Sequence, residues 1–151
     1  VVTVDCEGVP DALQLVQVAT STVCYVFDCV QLGEAVVCDF LHGVLGSESV
    51  VKVFHDLHQD SFALSNIGGV DLKASFDIQL AVESMTGDIH IGFNKMLGLV
   101  KAPTHSGKKG MKEQMRKRGG DVFAKRPLPR DILDYAADDV ILLMTAYYKI
   151  M

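Results

Sequence analysis

Four acids and one phenol have the types and spacing to do chemistry together: Asp5, Glu7, Asp60, Tyr135 and Asp139. Asp5 and Glu7 fall two positions apart in an opening run that alternates, with Thr3, Asp5 and Glu7 facing one way and Val2, Val4 and Cys6 the other. On a strand this spacing stands both carboxylates on one face, about 6–7 Å apart. Two such groups on a buried strand repel each other and are costly to desolvate unless a cation joins them. An all-oxygen set of this kind favours a hard divalent ion such as Mg²⁺ or Mn²⁺. A frayed strand end in water would carry the same two residues, so the pair alone does not decide between the readings.

Asp60 falls in the first turn of a helix expected after a β-branched run, where the helix dipole tolerates negative charge. By itself it reads as a helix-start acid. Tyr135 and Asp139 lie four apart on the expected last helix, hence on one face about 40° apart. That face is offset from the apolar stripe, so it is able to line a site while the stripe packs. A lone pair of this kind is common. Asp138 points about 100° away from Asp139 and reads as a surface acid. His55 and His58 bracket the second acidic motif, His55 as a structural residue at a strand end and His58 with no spacing argument for a role.

The elements that must carry these residues are set by alternation, helical spacing and turn residues along the chain. Val1 to Glu7, Leu13 to Ala19 and Val23 to Phe27 are expected strands, separated by the turn signals Gly8-Val9-Pro10-Asp11 and Ser21-Thr22. Apolar residues recur at helical spacing from Leu32 to Leu45, and Val50–Phe54 reads as a buried strand. Asp56-Leu57-His58-Gln59 has the pattern of a capping box opening a helix to about Ile67. Ser75-Phe76-Asp77 reads as a short strand with Asp77 capping the next helix, and a further helix is expected around Gly92–Val100. The segment from Lys101 to Arg130, broken at Pro103, Gly107, Gly110 and Gly119-Gly120, is expected to be loop around one short helix. Pro129 has the place of a first-turn proline for a helix reaching Ile150, with a stripe of Leu133, Ala136, Val140, Leu143, Met144 and Tyr147. Strands first, then strands alternating with helices, give an α/β fold with a mixed sheet.

Composition bounds the function classes. With 151 residues, 49% hydrophobic and 22% charged, the chain fits one globular domain with a substantial core and is no disordered spacer. No apolar run approaches the roughly 18 residues of a membrane span, and no basic-then-apolar leader opens the chain. Cys6, Cys24, Cys29 and Cys38 form no CxxC pair and read as reduced thiols packed in an intracellular protein rather than as a zinc site. The chain begins strand-like without an initiator Met, and the expectation is a single domain, residues 1–151, excised from a longer protein whose flanks could bring protein partners. The net charge of −5 hides an asymmetry: Lys101–Arg130 holds ten Lys or Arg against Glu113 and Asp121. Such a stretch is a plausible footprint for nucleic acid, though a solvated face would look alike. Lys112, Arg116 and Lys117 would share one helical side there and are the candidate strand-binding residues.

Taken together, Asp-x-Glu on the first strand, Asp after the fourth and Tyr-x-x-x-Asp on the last helix resemble the three-motif signature of DEDDy 3′-5′ exonucleases, over the whole chain. Val53-Phe54-His55-Asp56 through Asp60 resembles the second motif of RNase D-like enzymes, and Phe76-Asp77 the joint that follows it. Lys112-Glu113-Gln114-Met115 with Ala124-Lys125-Arg126-Pro127-Leu128 is similar, more narrowly, to Egalitarian-like exonuclease-domain proteins. The resemblance implies a ribonuclease H-like fold with a five-stranded mixed sheet flanked by helices. It also implies two divalent ions, Mg²⁺ or Mn²⁺, about 3.5–4 Å apart. Asp5 would bridge both, Glu7 and Asp139 would hold the ion carrying the attacking water, and Asp60 would reach the second. Tyr135 would orient the water where the sister DEDDh group uses histidine. The implied reaction is hydrolysis of single-stranded nucleic acid, RNA favoured over DNA, from the 3′ end to nucleoside 5′-monophosphates. The Egalitarian-like resemblance also implies an alternative, a catalytically weak RNA-binding or adaptor module.

Overall fold

The computed structural model describes residues 1–118 and 122–151; the expected Gly119-Gly120 break lies outside the described residues. Three strands open the chain, β1 (Val2–Glu7), β2 (Leu15–Ala19) and β3 (Cys24–Asp28), followed by helices α1 (Cys29–Leu32) and α2 (Glu34–Leu45). Strand β4 (Lys52–Phe54) leads into α3 (Leu57–Asn66), and β5 (Ser75–Asp77) into α4 (Ile78–Thr86). Helices α5 (Phe93–Leu99), α6 (Lys108–Arg118) and α7 (Arg130–Ile150) complete the chain. The sheet runs β3-β2-β1-β4-β5, with β1 and β3 antiparallel to β2 and with β1, β4 and β5 mutually parallel. This is the five-stranded mixed sheet that the resemblance implies.

β1 is central and covered on both sides, which is why its two faces differ in chemistry rather than in exposure. Val2, Val4 and Cys6 join Val16, Val18, Leu41, Leu45, Phe54 and Leu64 in a core beneath α2 and α3. The opposite face meets α7, where Leu15, Phe123, Ile132, Tyr135 and Ala136 cluster, and farther along Val53, Ile78, Met96, Leu97, Leu143 and Tyr147. The expected α7 stripe holds except at Leu133, which is half-buried while its neighbour Ile132 is buried. Pro129 caps α7 from just outside it instead of starting its first turn. The helix expected from Leu32 to Leu45 starts at Glu34, with Leu32 ending the separate α1, because Gly33 takes φ +91°, a conformation that side-chain-bearing residues rarely adopt. The thiols are free, and Cys6, Cys29 and Cys38 are buried.

The capping box expected at Asp56 does not form. Asp56 sits at the N-cap of α3 in the left-handed region, φ 60°, and its side chain makes no cap bond. Asp77 serves instead: its carboxylate accepts from the backbone N–H of Asp56 (3.2 Å) and Leu57 (2.9 Å) while also capping its own helix through Gln79 N (2.9 Å). One acid thus fixes the starts of α3 and α4, satisfying donors that a helix N-terminus leaves unpaired. Among the described residues, no helix is long and apolar enough to cross a membrane.

Candidate active site

The β1–β2 register sets Thr3 beside Ala19, Asp5 beside Gln17 and Glu7 beside Leu15. Thr3, on the Asp5 face, donates its hydroxyl to the Val140 carbonyl at 2.8 Å. That buried bond ties β1 to α7 one residue from Asp139, so strand and helix acids are held at a set separation. A carboxylate oxygen from each of Asp5, Glu7 and Asp139 lies within 4.8 Å of the others. Glu7 is 9% exposed and Asp139 4%, so these are charges taken out of water. Asp60, 5% exposed, rises in the first turn of α3 and stands outside that trio.

Electrostatics follow from this crowding. Burial, and then the charge of Asp139, pushes the Asp5 carboxyl up to about 7, against the pull of Lys108. Burial raises Glu7 well above the ordinary carboxylate range, with Asp5 and Asp139 adding to it. Asp60 is raised well above its ordinary value by burial first and by Asp5 second. The Tyr135 phenol is likewise pushed up, by burial and then by Asp139, so it stays protonated at neutral pH. Its ring is held between His105 (centroids 4.7 Å apart) and Phe123 (6.3 Å).

None of the acidic motifs contains a basic residue, yet a cation reaches the cluster. Lys108, the first residue of α6, places Nζ 2.7 Å from Asp139 Oδ2 and 2.6 Å from Oδ1, and donates to the Tyr135 hydroxyl at 2.8 Å. The approach to Oδ1 is off the hydrogen-bonding direction, so that buried oxygen has an ion contact but no hydrogen-bond donor. The ammonium also lies over the rings of Tyr135 (4.8 Å) and Phe93 (4.9 Å). Gly107 makes this delivery feasible. A Cβ there would come within 2.9 Å of the His105 ring and 3.2 Å of the Tyr135 ring, so only glycine lets the chain pass this close. His105 is buried; its Nδ1 accepts from Gly107 N (3.0 Å), which leaves Nε2 to donate to the Tyr135 carbonyl (3.2 Å).

Two further polar residues border the site. His55 donates through Nε2 to the Ile91 carbonyl (3.0 Å), sits edge-on to Phe93, and has its pKa lowered by burial. This fits the structural role expected of it, whereas His58 is exposed on α3. Gln17, the cross-strand neighbour of Asp5, is fully buried with neither its amide oxygen nor its nitrogen hydrogen-bonded. Neither Lys108 nor Gln17 was legible as a site residue. Lys108 lies 31 positions from Asp139, on a different helix with no sequence spacing that links the two, and Gln17 looks like one more member of an apolar strand.

A recess of about 50 Å³ is lined by Asp5, His55, Phe93, Lys108, Asp139 and Leu143. Beside it, sharing Phe93 and Lys108, lies a cavity of about 470 Å³ bordered by Lys95, Lys109 and Lys112. Of the three basic residues expected to bind a strand, Lys112 therefore lines this cavity, while Arg116 and Lys117 are exposed on α6 outside both linings. The donor set fits a hard divalent cation. It offers three converging carboxylates, two of them raised by burial and then by neighbouring acids, and a buried Asp139 oxygen without a hydrogen-bond donor.

Comparison with solved structures finds the same fold in RNase D. RNase D of Trypanosoma brucei, in its complex with RNA U12, superposes with a TM-score of 0.86 at 24% identity, over 98% of this chain and 54% of that one. Escherichia coli RNase D, described as an exoribonuclease involved in structured RNA processing, gives 0.79 at 21%, over 99% and 38%. Brucella melitensis NrnC with bound Mg²⁺ gives 0.73 at 20%, over 97% and 69%. The chain thus spans about half the length of the trypanosomal enzyme. At these identities the likeness is one of fold, the ribonuclease H-like exonuclease fold. No curated protein matches the chain. The family model described as 3′-5′ exonuclease, however, matches residues 1–151 throughout, and the chain belongs to that family.

Proposed function

We propose that this domain is a metal-dependent 3′-5′ exonuclease of the DEDDy kind, acting on single-stranded nucleic acid, RNA favoured, and releasing nucleoside 5′-monophosphates. The observation that carries the reading is the convergence of Asp5, Glu7 and Asp139 within 4.8 Å, beside a Tyr135 phenol held one helical turn from Asp139. Asp5, Glu7 and Asp139 would hold divalent ions, with Asp60 as the outlying fourth acid. Two ions bound there, Mg²⁺ or Mn²⁺, would supply a nucleophile at neutral pH and stabilise the departing 3′ oxygen. The protein's own part is orientation and proton placement. Tyr135 keeps its hydroxyl proton and offers it toward the reacting oxygens, and the His105 and Phe123 rings keep the phenol from turning away. Lys112, with Arg116 and Lys117 farther along α6, would meet strand phosphates. The preference for RNA draws on fold analogy to the trypanosomal enzyme bound to RNA and to the bacterial exoribonuclease. Within the family, the resemblance of the Lys112–Met115 and Ala124–Leu128 segments supports an Egalitarian-like subfamily.

A second reading is a catalytically weak RNA-binding adaptor, and one observation favours it: Lys108 is seated on Asp139 and Tyr135, the groups that catalysis needs. The deciding experiment incubates the domain with 5′-labelled single strands and Mn²⁺. The exonuclease reading expects a ladder of shortened products that EDTA abolishes and a 3′-phosphate suppresses. Tight binding with no shortening under any divalent ion would leave the adaptor.

A further inference from the structure

Lys108 occupies the position where the carboxylate cluster calls for positive charge. Its side chain is 25% exposed, against 6% for Asp139, and it borders both the carboxylate recess and the neighbouring lysine-lined cavity. The backbone beneath it is held by the close passage of Gly107 past His105 and Tyr135, so the four-carbon stem is the part free to move. We infer that Lys108 is the site's own exchangeable cation: its ammonium holds Asp139 and Tyr135 until a divalent ion takes the carboxylate, and then turns into the cavity lined by Lys95, Lys109 and Lys112.

The inference rests on the metal-dependent reading above and adds a residue to it. An ammonium 2.6–2.7 Å from both Asp139 oxygens competes with a metal ion for that carboxylate, since like charges this close repel strongly in a partly dry site. Metal therefore binds only the fraction of molecules in which Lys108 has left, and its apparent affinity falls by that fraction. The lysine also explains how the apo domain tolerates its acids, since its charge opposes the upward shifts of Asp5 and Glu7. Once released, the ammonium joins three other lysines at a cavity next to the recess, where the fitting ligand is a phosphate of the bound strand.

The test uses Mn²⁺ alone, without nucleic acid. Calorimetric titration of wild type, Lys108→Met and Lys108→Gln should show both variants binding Mn²⁺ about tenfold or more tightly, because the charge-assisted bonds that the ion must break are gone. In parallel, lysine acylation of the wild type followed by mass spectrometry should label Lys108 several-fold faster at saturating Mn²⁺, with exposed Lys149 as an unchanged reference. Variants that bind Mn²⁺ no more tightly than wild type, or Lys108 labelling that is unchanged or slowed by bound Mn²⁺, overturn the inference. If a variant does not fold, the wild-type labelling decides. Should neither wild type nor variants bind Mn²⁺, the metal-dependent reading fails and takes this one with it. Binding by the variants alone supports the inference most strongly.

Discussion

Metal-free, this domain should lose stability as pH rises from 5 to 8, the reverse of ordinary acid denaturation. Asp5 carries the clearest shift, from an ordinary 3.8 to about 7. Between those values the folded state keeps a proton that the unfolded chain releases. Stability changes with pH in proportion to protons bound unfolded minus folded, which is negative here, so it declines across the window. The contribution is fully present below about pH 4 and lost once pH exceeds about 7. Roughly three pKa units correspond to on the order of 4 kcal/mol. Glu7 and Asp60 are raised as well and act in the same sense. His55, lowered by burial, acts oppositely near its ordinary value of 6.5, but it is one group against three. Burial raises Asp28 too, yet its bonds to Arg126 outweigh that and leave it lowered, so its contribution is lost only below about pH 4, outside the window.

Between pH 5 and 8 about two of those units are lost, roughly 3 kcal/mol, and for a domain of this size 1 kcal/mol moves Tm by about 2–4 °C, so the fall should be about 5–10 °C. The assay is thermal unfolding in EDTA at one-unit pH steps, for wild type and Asp5→Asn. The variant should lose most of the slope and melt above wild type at pH 8. Saturating Mg²⁺ or Mn²⁺ should restore the wild-type Tm at pH 8, because a ligand bound only by the folded state stabilises it. A Tm in EDTA that is flat or rises from pH 5 to 8 would refute the picture of strained, buried acids. So would an Asp5→Asn protein less stable than wild type at pH 8.

Further expectations bear on chemistry and binding. Asp139→Asn should lower cleavage of a labelled single strand by about 10²-fold or more while leaving strand affinity, read by fluorescence anisotropy, nearly unchanged. Tyr135→Phe keeps the ring between His105 and Phe123, so Tm should hold while turnover drops about 10²-fold. Neutralising Lys112, Arg116 and Lys117 should weaken strand binding and lower the slope of log affinity against log salt by about 0.7 for each lost phosphate contact. An unchanged slope would make that face of α6 a merely solvated surface.

The legible parts of this molecule are those in which a short periodicity decides what faces what. Asp5 and Glu7 share a face because strand residues two apart must, and Tyr135 and Asp139 share one because helix residues four apart must. Which face turned inward followed from Val2, Val4 and Cys6 on one side of β1 and from the apolar stripe of α7. What was not legible depends on contacts between distant residues. Asp77 caps α3 from 20 positions away, in place of the local capping box that the Asp56–Gln59 pattern predicts. Gln17 is paired with Asp5 by strand register, which the residue types alone do not reveal. Lys108 hides in a basic stretch where any of ten side chains could have been the one that turns inward.

That basic stretch also gains a place it did not have in the sequence. At its start, Gly107 and Lys108 bind α6 to His105, Tyr135 and Asp139. Within it, Met111 is buried against Phe123, Ile132 and Tyr135, so one side of an otherwise very polar helix is committed to the α7 face. Beyond it, Arg126 grips Asp28 with two charge-assisted bonds, 2.6 Å from Nε and 2.5 Å from Nη2, at the junction of β3 and α1. The positive segment is therefore tethered on both sides, and its Lys108, Lys109 and Lys112 are held beside the acids at one end of β1. The charge asymmetry of the sequence becomes a short-range dipole, with phosphate-attracting groups next to cation-attracting ones. A nuclease needs this arrangement, since a phosphodiester must be drawn toward a cluster of carboxylates that would otherwise repel it.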